Sequence, residues 1–241
     1  MSEPETNIVQ PLTRISDRVF FSLAGVWFVA LTVVGFWPTF YFRTLPEPLP
    51  THQIVHGVLF SMWVLLFLVQ ALLISTHRVR WHMTLGAAAV FLLILMIPVG
   101  FHVVLVKTAA GLKDVDEAGF NLTGLTLGFT LAFAGLANRK RPLVHKRFML
   151  FATLMITVAA ADRVALAFGL EGIRPFRKLL ALAPGIAIVG YDAVLRRQIL
   201  LLSVSLLALA WLVVWFIISD LVFLQPAGEE IIRALMRVFV W

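Results

Sequence analysis

Histidine carries the most chemistry in this sequence. All six histidines lie at or near the ends of long apolar runs, and they fall into two groups. His52, His56 and His102 belong to one end of those runs; His77, His82 and His145 belong to the other. His52 and His56 are spaced i,i+4 and share a helix face. His56 and His102 stand about equally far from the middle of the 76–81 loop, so on two antiparallel helices they sit at the same depth. Together these three imidazoles form a His-rich set suited to zinc. His82 and His145 each open an apolar run behind a basic stretch, RVRWH and NRKRPLVH, which places them at similar depth on one membrane face. Against these chemistries stands a plain alternative: a histidine at a span end is an ordinary interfacial anchor.

Other polar residues inside apolar runs are few. Asp162-Arg163 falls near the middle of the fifth run, where a lone charge costs roughly 2.5–3.5 kcal/mol. A structural inter-helix ion pair or a buried functional pair would explain it. Asp192 and Arg196 are i,i+4 and read as a local pair. Gln70 can hydrogen-bond a neighbouring helix or orient a histidine ring. Pro98 and Pro184 predict kinks, and Pro184-Gly185 makes the sixth run the candidate for a broken or re-entrant helix. The stripe Gly124, Gly128, Ala132 and Gly135 predicts close helix packing.

These residues must be positioned by membrane helices. Of 241 residues, 61% are hydrophobic and only 14% charged, which excludes a disordered chain and argues against a soluble domain. Seven runs approach the ~20 residues needed to span a bilayer: Val19–Phe42, His52–Ser75, His82–Val106, Phe120–Ala137, Phe148–Leu170, Leu179–Leu195 and Ile199–Phe223. The first is too long for a signal-peptide core and lacks a cleavage site. No linker divides the chain, so residues 1–241 read as a single integral membrane domain; Thr44–Thr51 is a stiff loop. In Gly228–Trp241, apolar residues at helical spacing alternate with Glu229, Glu230, Arg233 and Arg237, as in an amphipathic interfacial helix. The expected fold is an all-α polytopic transmembrane bundle of about seven spans plus that helix. Arg14, Arg18, Arg78, Arg80, Arg139, Lys140, Arg141, Lys146, Arg147, Arg196 and Arg197 fall on one side of the membrane. This basic bias places the N-terminus in the cytoplasm and the C-terminus outside the cell (inner) membrane. The net charge of +7 is thereby read as orientation and lipid contact rather than nucleic-acid binding.

Without cysteine, iron–sulfur clusters, disulfides and covalently attached haem are excluded. No Walker loop, HExxH, GxSxG, EF-hand or dinucleotide fingerprint is present. The segments HGVLFSMWVLLFLVQALL, RVRWHMTLG and VHKRFMLFATL with AADR, within about residues 52–165, resemble a group of bacterial multi-pass membrane proteins without an assigned function. Their pattern falls here on His56, Gly57, Trp63, Gln70, His82, Gly86, His145, Lys146, Arg147, Met149 and Arg163. More distantly the chain is similar to two-haem transmembrane cytochromes b. That likeness implies a haem b electron-transfer protein with a quinone or other redox partner. His82 and His145 would be axial ligands, Gln70 a partner of a ligand ring, and Arg80, Arg147 and Arg163 candidates for the propionates. A second haem lacks a ligand, since the fourth run has no histidine opposite His56. The alternatives are the zinc set His52, His56 and His102, and a non-catalytic accessory or scaffold membrane protein.

Overall fold

The computed structural model describes residues 9–43, 48–170, 173–196, 199–223 and 225–240. It is all-helical. Helix α1 (Val9–Phe36) runs into a π-helical turn (Trp37–Tyr41). Then follow α2 (Thr51–Ser75), α3 (Val79–Ala109), α4 (Val115–Ala137), α5 (Pro142–Ile156), α6 (Val158–Ala167), α7 (Arg174–Tyr191), a second π-helical turn (Asp192–Arg196), α8 (Ile199–Phe223) and α9 (Pro226–Phe239). The end of the bundle where α1 begins is called proximal, and the end where it finishes distal.

Four of these helices are long and apolar enough to cross a membrane. The bent pair α5–α6 makes a fifth if counted as one span. The described apolar stretches Leu179–Val194 and Val204–Trp215 are shorter, so length and composition give four to five spans among the described residues where seven were expected. The apolar character is turned outward as well as inward. Leu23, Phe91, Leu95, Leu207 and Leu221 are more than half exposed, as befits side chains solvated by lipid rather than water.

Helix ends follow local chemistry. α3 and α6 each stop at a glycine in the left-handed region, Gly111 (φ 67°) and Gly169 (φ 66°). Both ends close in the paired Schellman bonds, Leu112 N–H to the Lys107 carbonyl and Leu170 N–H to the Ala165 carbonyl. α2 closes the same way with His77 (φ 61°) in the glycine position. That strained imidazole is held by Arg18, 2.8 Å from its Nε2.

The core gathers around α5, which touches α1, α2, α4, α7 and α8 and buries Leu150 through Ile156. The α4 stripe lets α5 and α8 approach: a Cβ on Gly128 would lie 3.3 Å from Met155 and one on Gly124 3.0 Å from Trp215. The expected close-packing role is therefore what the stripe performs.

Three expectations need correction. The fifth span is not one helix from Phe148 to Leu170; it breaks at Thr157, and α5 and α6 meet at 45°. There the Thr157 hydroxyl donates to the carbonyls of Thr153 (2.9 Å) and Leu154 (3.1 Å), the back-bonding that bends helices. The Pro184 segment, by contrast, does not break: α7 continues through it. The C-terminal amphipathic helix does form, but α9 docks on α3, α4 and α8 with Ile232 fully buried, covering the distal end of the bundle.

Candidate functional site

The first polar centre is a distal cavity of about 220 Å³. It opens where α1 unwinds into its π-helical turn, α2 begins, α3 ends and α5 gives way to α6. Thr32, Thr39 and Tyr41 come from the first segment; His56 and Ser61 from α2; Lys107 from α3; Asn121 from α4; Arg163 from α6. Phe36, Phe40, Phe60 and Phe120 supply aromatic wall. Local sequence explains the space. Gly57 lies under the Phe40 ring, where a Cβ would collide. The first turn of α6, Val158–Ala160, reaches the wall only because the helix breaks just before it.

Polar atoms in this cavity are left over. Thr32 Oγ1, Thr39 Oγ1 and His56 Nδ1 are buried and have no hydrogen-bond partner. Threonine in a helix ordinarily bonds back to a carbonyl, as Thr108, Thr123 and Thr126 do here. Such leftover groups are uncommon, and each costs about 1–3 kcal/mol. Tyr41 and Ser61 instead pair with each other at 2.6 Å. The cations are unevenly used. Lys113 is paired with Glu117, Arg163 lies 5.3 Å over the Phe36 ring, and neither Lys107 nor Arg163 makes an ion pair among the described residues. Among the described residues, no aspartate or glutamate lines the cavity.

The second centre is proximal and closed. Arg147 and Asp192 are both fully buried and joined as a fork: Nε donates to Oδ2 at 2.8 Å, and Nη2 donates to Oδ1. Ser205 donates to Asp192 Oδ2 at 2.6 Å, and Nη1 of Arg147 donates to the Leu143 carbonyl at 2.6 Å. Beside it Asp17 accepts from Lys146 and from the Tyr191 hydroxyl. Asp192 thus pairs with Arg147 across the bundle; the expected local partner, the Arg196 side chain, lies outside the described residues.

The expected ligand residues are distributed as follows. His82 and His145 are both proximal and half-buried. His145 Nδ1 is 2.7 Å from the Gly135 carbonyl, so its Nδ1 carries the proton and Nε2 the lone pair, the tautomer a metal ligand needs. The Gln70 amide lies against His82 and Gly86. With its amide oxygen and nitrogen exchanged, the orientation that satisfies both neighbours, its nitrogen donates to the His82 carbonyl (3.1 Å) and Nδ1, and its oxygen accepts from Gly86 N–H (2.9 Å). In that orientation the His82 proton sits on Nε2, the opposite of what iron requires. Arg80 is exposed. Arg147 is committed to Asp192 and unavailable to a propionate, and Arg163 is at the other end of the bundle, in the distal cavity.

On the distal side, His52 and His102 meet with ring centroids 5.6 Å apart. His102 Nδ1 is 2.7 Å from the Phe239 carbonyl of α9, while His56 stacks on Phe60 at 4.0 Å. Among the described residues, no three His, Cys, Asp or Glu side chains form a group able to hold a metal ion. The equal depth of His56 and His102 does not bring their rings together as a zinc set.

Sequence reasoning missed Lys107, Asp17 and Tyr191. Lys107 reads as a loop charge until Gly111 is recognised as the stop of α3, which puts it on the helix. Asp17 precedes the first apolar run, and its partners lie far along the chain. Compared with known proteins, the chain matches no family model, no curated protein and no solved structure.

Proposed function

We propose that this integral membrane protein binds a lipid-soluble small molecule in the distal cavity, head first. The observation that carries the reading is the set of unpaired buried polar atoms, Thr32 Oγ1, Thr39 Oγ1 and His56 Nδ1, on the wall of a cavity bounded by membrane-crossing helices. Its volume of about 220 Å³ lies below the ~300 Å³ at which pockets begin to enclose drug-sized ligands. It suits a headgroup and its first carbons, leaving the tail in lipid. Single-chain amphiphiles carrying a diazirine beside an anionic, neutral or cationic head test this. Irradiation is expected to label peptides containing His56, Lys107 or Arg163 with at least one of the heads, and Ala159→Phe, which fills the cavity, should suppress it. Labelling confined to the lipid-facing surface around Phe91 and Leu95 would overturn the reading.

A second reading keeps haem b at the proximal end, because His145 already presents the ligand tautomer. His82 would join it only if the Gln70 amide turned and the proton moved to Nδ1. The chain is then expected, when expressed with haem precursor, to give a reduced-minus-oxidised haem spectrum that His145→Ala abolishes or shifts and that His77→Ala leaves unchanged. A wild type without that spectrum rules this reading out.

The same proposal extends to topology: seven crossings, with the N-terminus cytoplasmic. Support comes from α8, which meets Asp192 through Ser205 near one end and underlies Gly119 of α4 through Phe223 at the other, a course along the full depth of the bundle. Position 241 lies outside the described residues, yet it is the informative fusion point. Alkaline phosphatase joined there is expected to be active and a fluorescent protein dark; the reverse would mean an even number of crossings or the opposite orientation.

A further inference from the structure

We infer that the distal cavity selects an anionic head, a carboxylate or phosphate monoester on a single apolar tail; this rests on the cavity being a ligand site at all. Lys107 and Arg163 both line the cavity and belong to helices of the membrane-spanning bundle. Neither makes an ion pair with a carboxylate among the described residues, and no described acidic side chain lines the cavity. Cations placed in this way are costly in a medium that cannot solvate them. Three other half-buried or buried cations of the bundle have carboxylate partners: Arg147 holds Asp192, Lys146 holds Asp17, and Lys113 holds Glu117. Lys107 and Arg163 have none among the described residues, and they share one cavity.

The rest of the wall agrees in sign. The first turn of α6 brings the positive end of its helix dipole to the wall through Val158–Ala160. The Thr32 and Thr39 hydroxyls are unused and can donate. His56 Nδ1 can likewise donate in the appropriate tautomer. A carboxylate or phosphate accepts several hydrogen bonds at once, so one head satisfies both the leftover charge and the leftover donors. A quaternary ammonium satisfies neither, and a sugar or alcohol only the second. The aromatic wall of Phe36, Phe60 and Phe120 suits the first methylenes of the tail, which distinguishes an amphiphile from a free inorganic anion.

Affinities of the purified full-length protein in neutral detergent for laurate, dodecyl phosphate, dodecyltrimethylammonium and a neutral dodecyl glycoside, with inorganic phosphate as a fifth probe, test the inference. Laurate or dodecyl phosphate is expected to bind roughly tenfold or more tighter than the cationic and neutral chains, as charge-assisted hydrogen bonds imply, and inorganic phosphate to compete poorly. Lys107→Met with Arg163→Met should erase the preference, and a wild-type helical circular-dichroism spectrum and elution profile show that the variant folds. Lys107→Arg with Arg163→Lys should restore it, and serves if the methionine pair fails to fold. Equal affinity for all four chains would overturn the charge selection while leaving the cavity a ligand site. Competition by inorganic phosphate as strong as that of dodecyl phosphate would overturn the amphiphile. Binding by none of the chains would overturn both this inference and the reading beneath it.

Discussion

Arg147→Met is expected to cost the folded protein about 3–5 kcal/mol, the range for removing one partner of a buried ion pair. The reason is not the attraction lost but the charge left behind. Asp192 is fully buried, and without the guanidinium it keeps only the Ser205 hydroxyl and the remaining protein matrix. Asp192→Leu strands Arg147 in the same way, with the Leu143 carbonyl as its remaining hydrogen-bond acceptor. Unfolding by SDS in mixed micelles measures both. The double variant Arg147→Met/Asp192→Leu is expected to recover most of the loss, since an apolar pair of similar volume is often as stable as the ion pair it replaces. A single-variant loss under about 1 kcal/mol, or a double variant worse than either single, would show that the fork is not the isolated buried pair described. Arg233 with Glu229 gives the contrast. That i,i+4 pair on α9 is exposed on both sides, so its removal should change stability by about half a kcal/mol or less.

Gly35→Val is the second large effect. Gly35 faces the α6 backbone so closely that a Cβ there would lie 2.5 Å from the Ala160 carbonyl oxygen and 3.2 Å from its Cα. A flexible side chain could swing away; a helix backbone cannot. The helices must separate, at about 1–3 kcal/mol for overpacking, and because Ala160 is part of the cavity wall, ligand labelling should fall with stability. Gly190→Ala is the control: a Cβ there meets nothing within 4 Å, and removing an interior helix glycine should gain about 0.5–1 kcal/mol. If Gly35→Val unfolds no more readily than wild type, α1 and α6 are not in backbone contact.

What could be read from the residues was whatever depends on one run at a time. The α2 helix was expected at His52–Ser75 and is Thr51–Ser75, because a continuous apolar run bounded by Pro50 and a polar turn leaves little choice. The stripe on α4 was legible for the same reason. The break at Thr157 was not: no proline or glycine marks it, and it needs a hydroxyl competing for carbonyls within a stretch that otherwise reads as continuous helix. The pairing of Asp192 with Arg147 was not legible, since an i,i+4 arginine is visible in sequence and a partner 45 residues away is not. The distal cavity was invisible as a unit, although His56 and Arg163 were singled out. Its lining residues come from seven helices, and which of their polar atoms are left without partners is a property of packing alone.

The Asp17 contacts carry a consequence for how the protein is made. Asp17 enters the membrane machinery with the first helix, but Lys146 follows 129 residues later and Tyr191 174 residues later. At about 5–20 residues per second, the acid waits roughly 6–25 s for its cation and longer for its phenol. A carboxylate stranded that long in hydrocarbon would pull its helix back out. Asp17 is the first residue of its apolar span, at the water-facing end, where it can stay hydrated until the fifth helix arrives. Assembly can then close over it from the proximal side, late and in the order of synthesis.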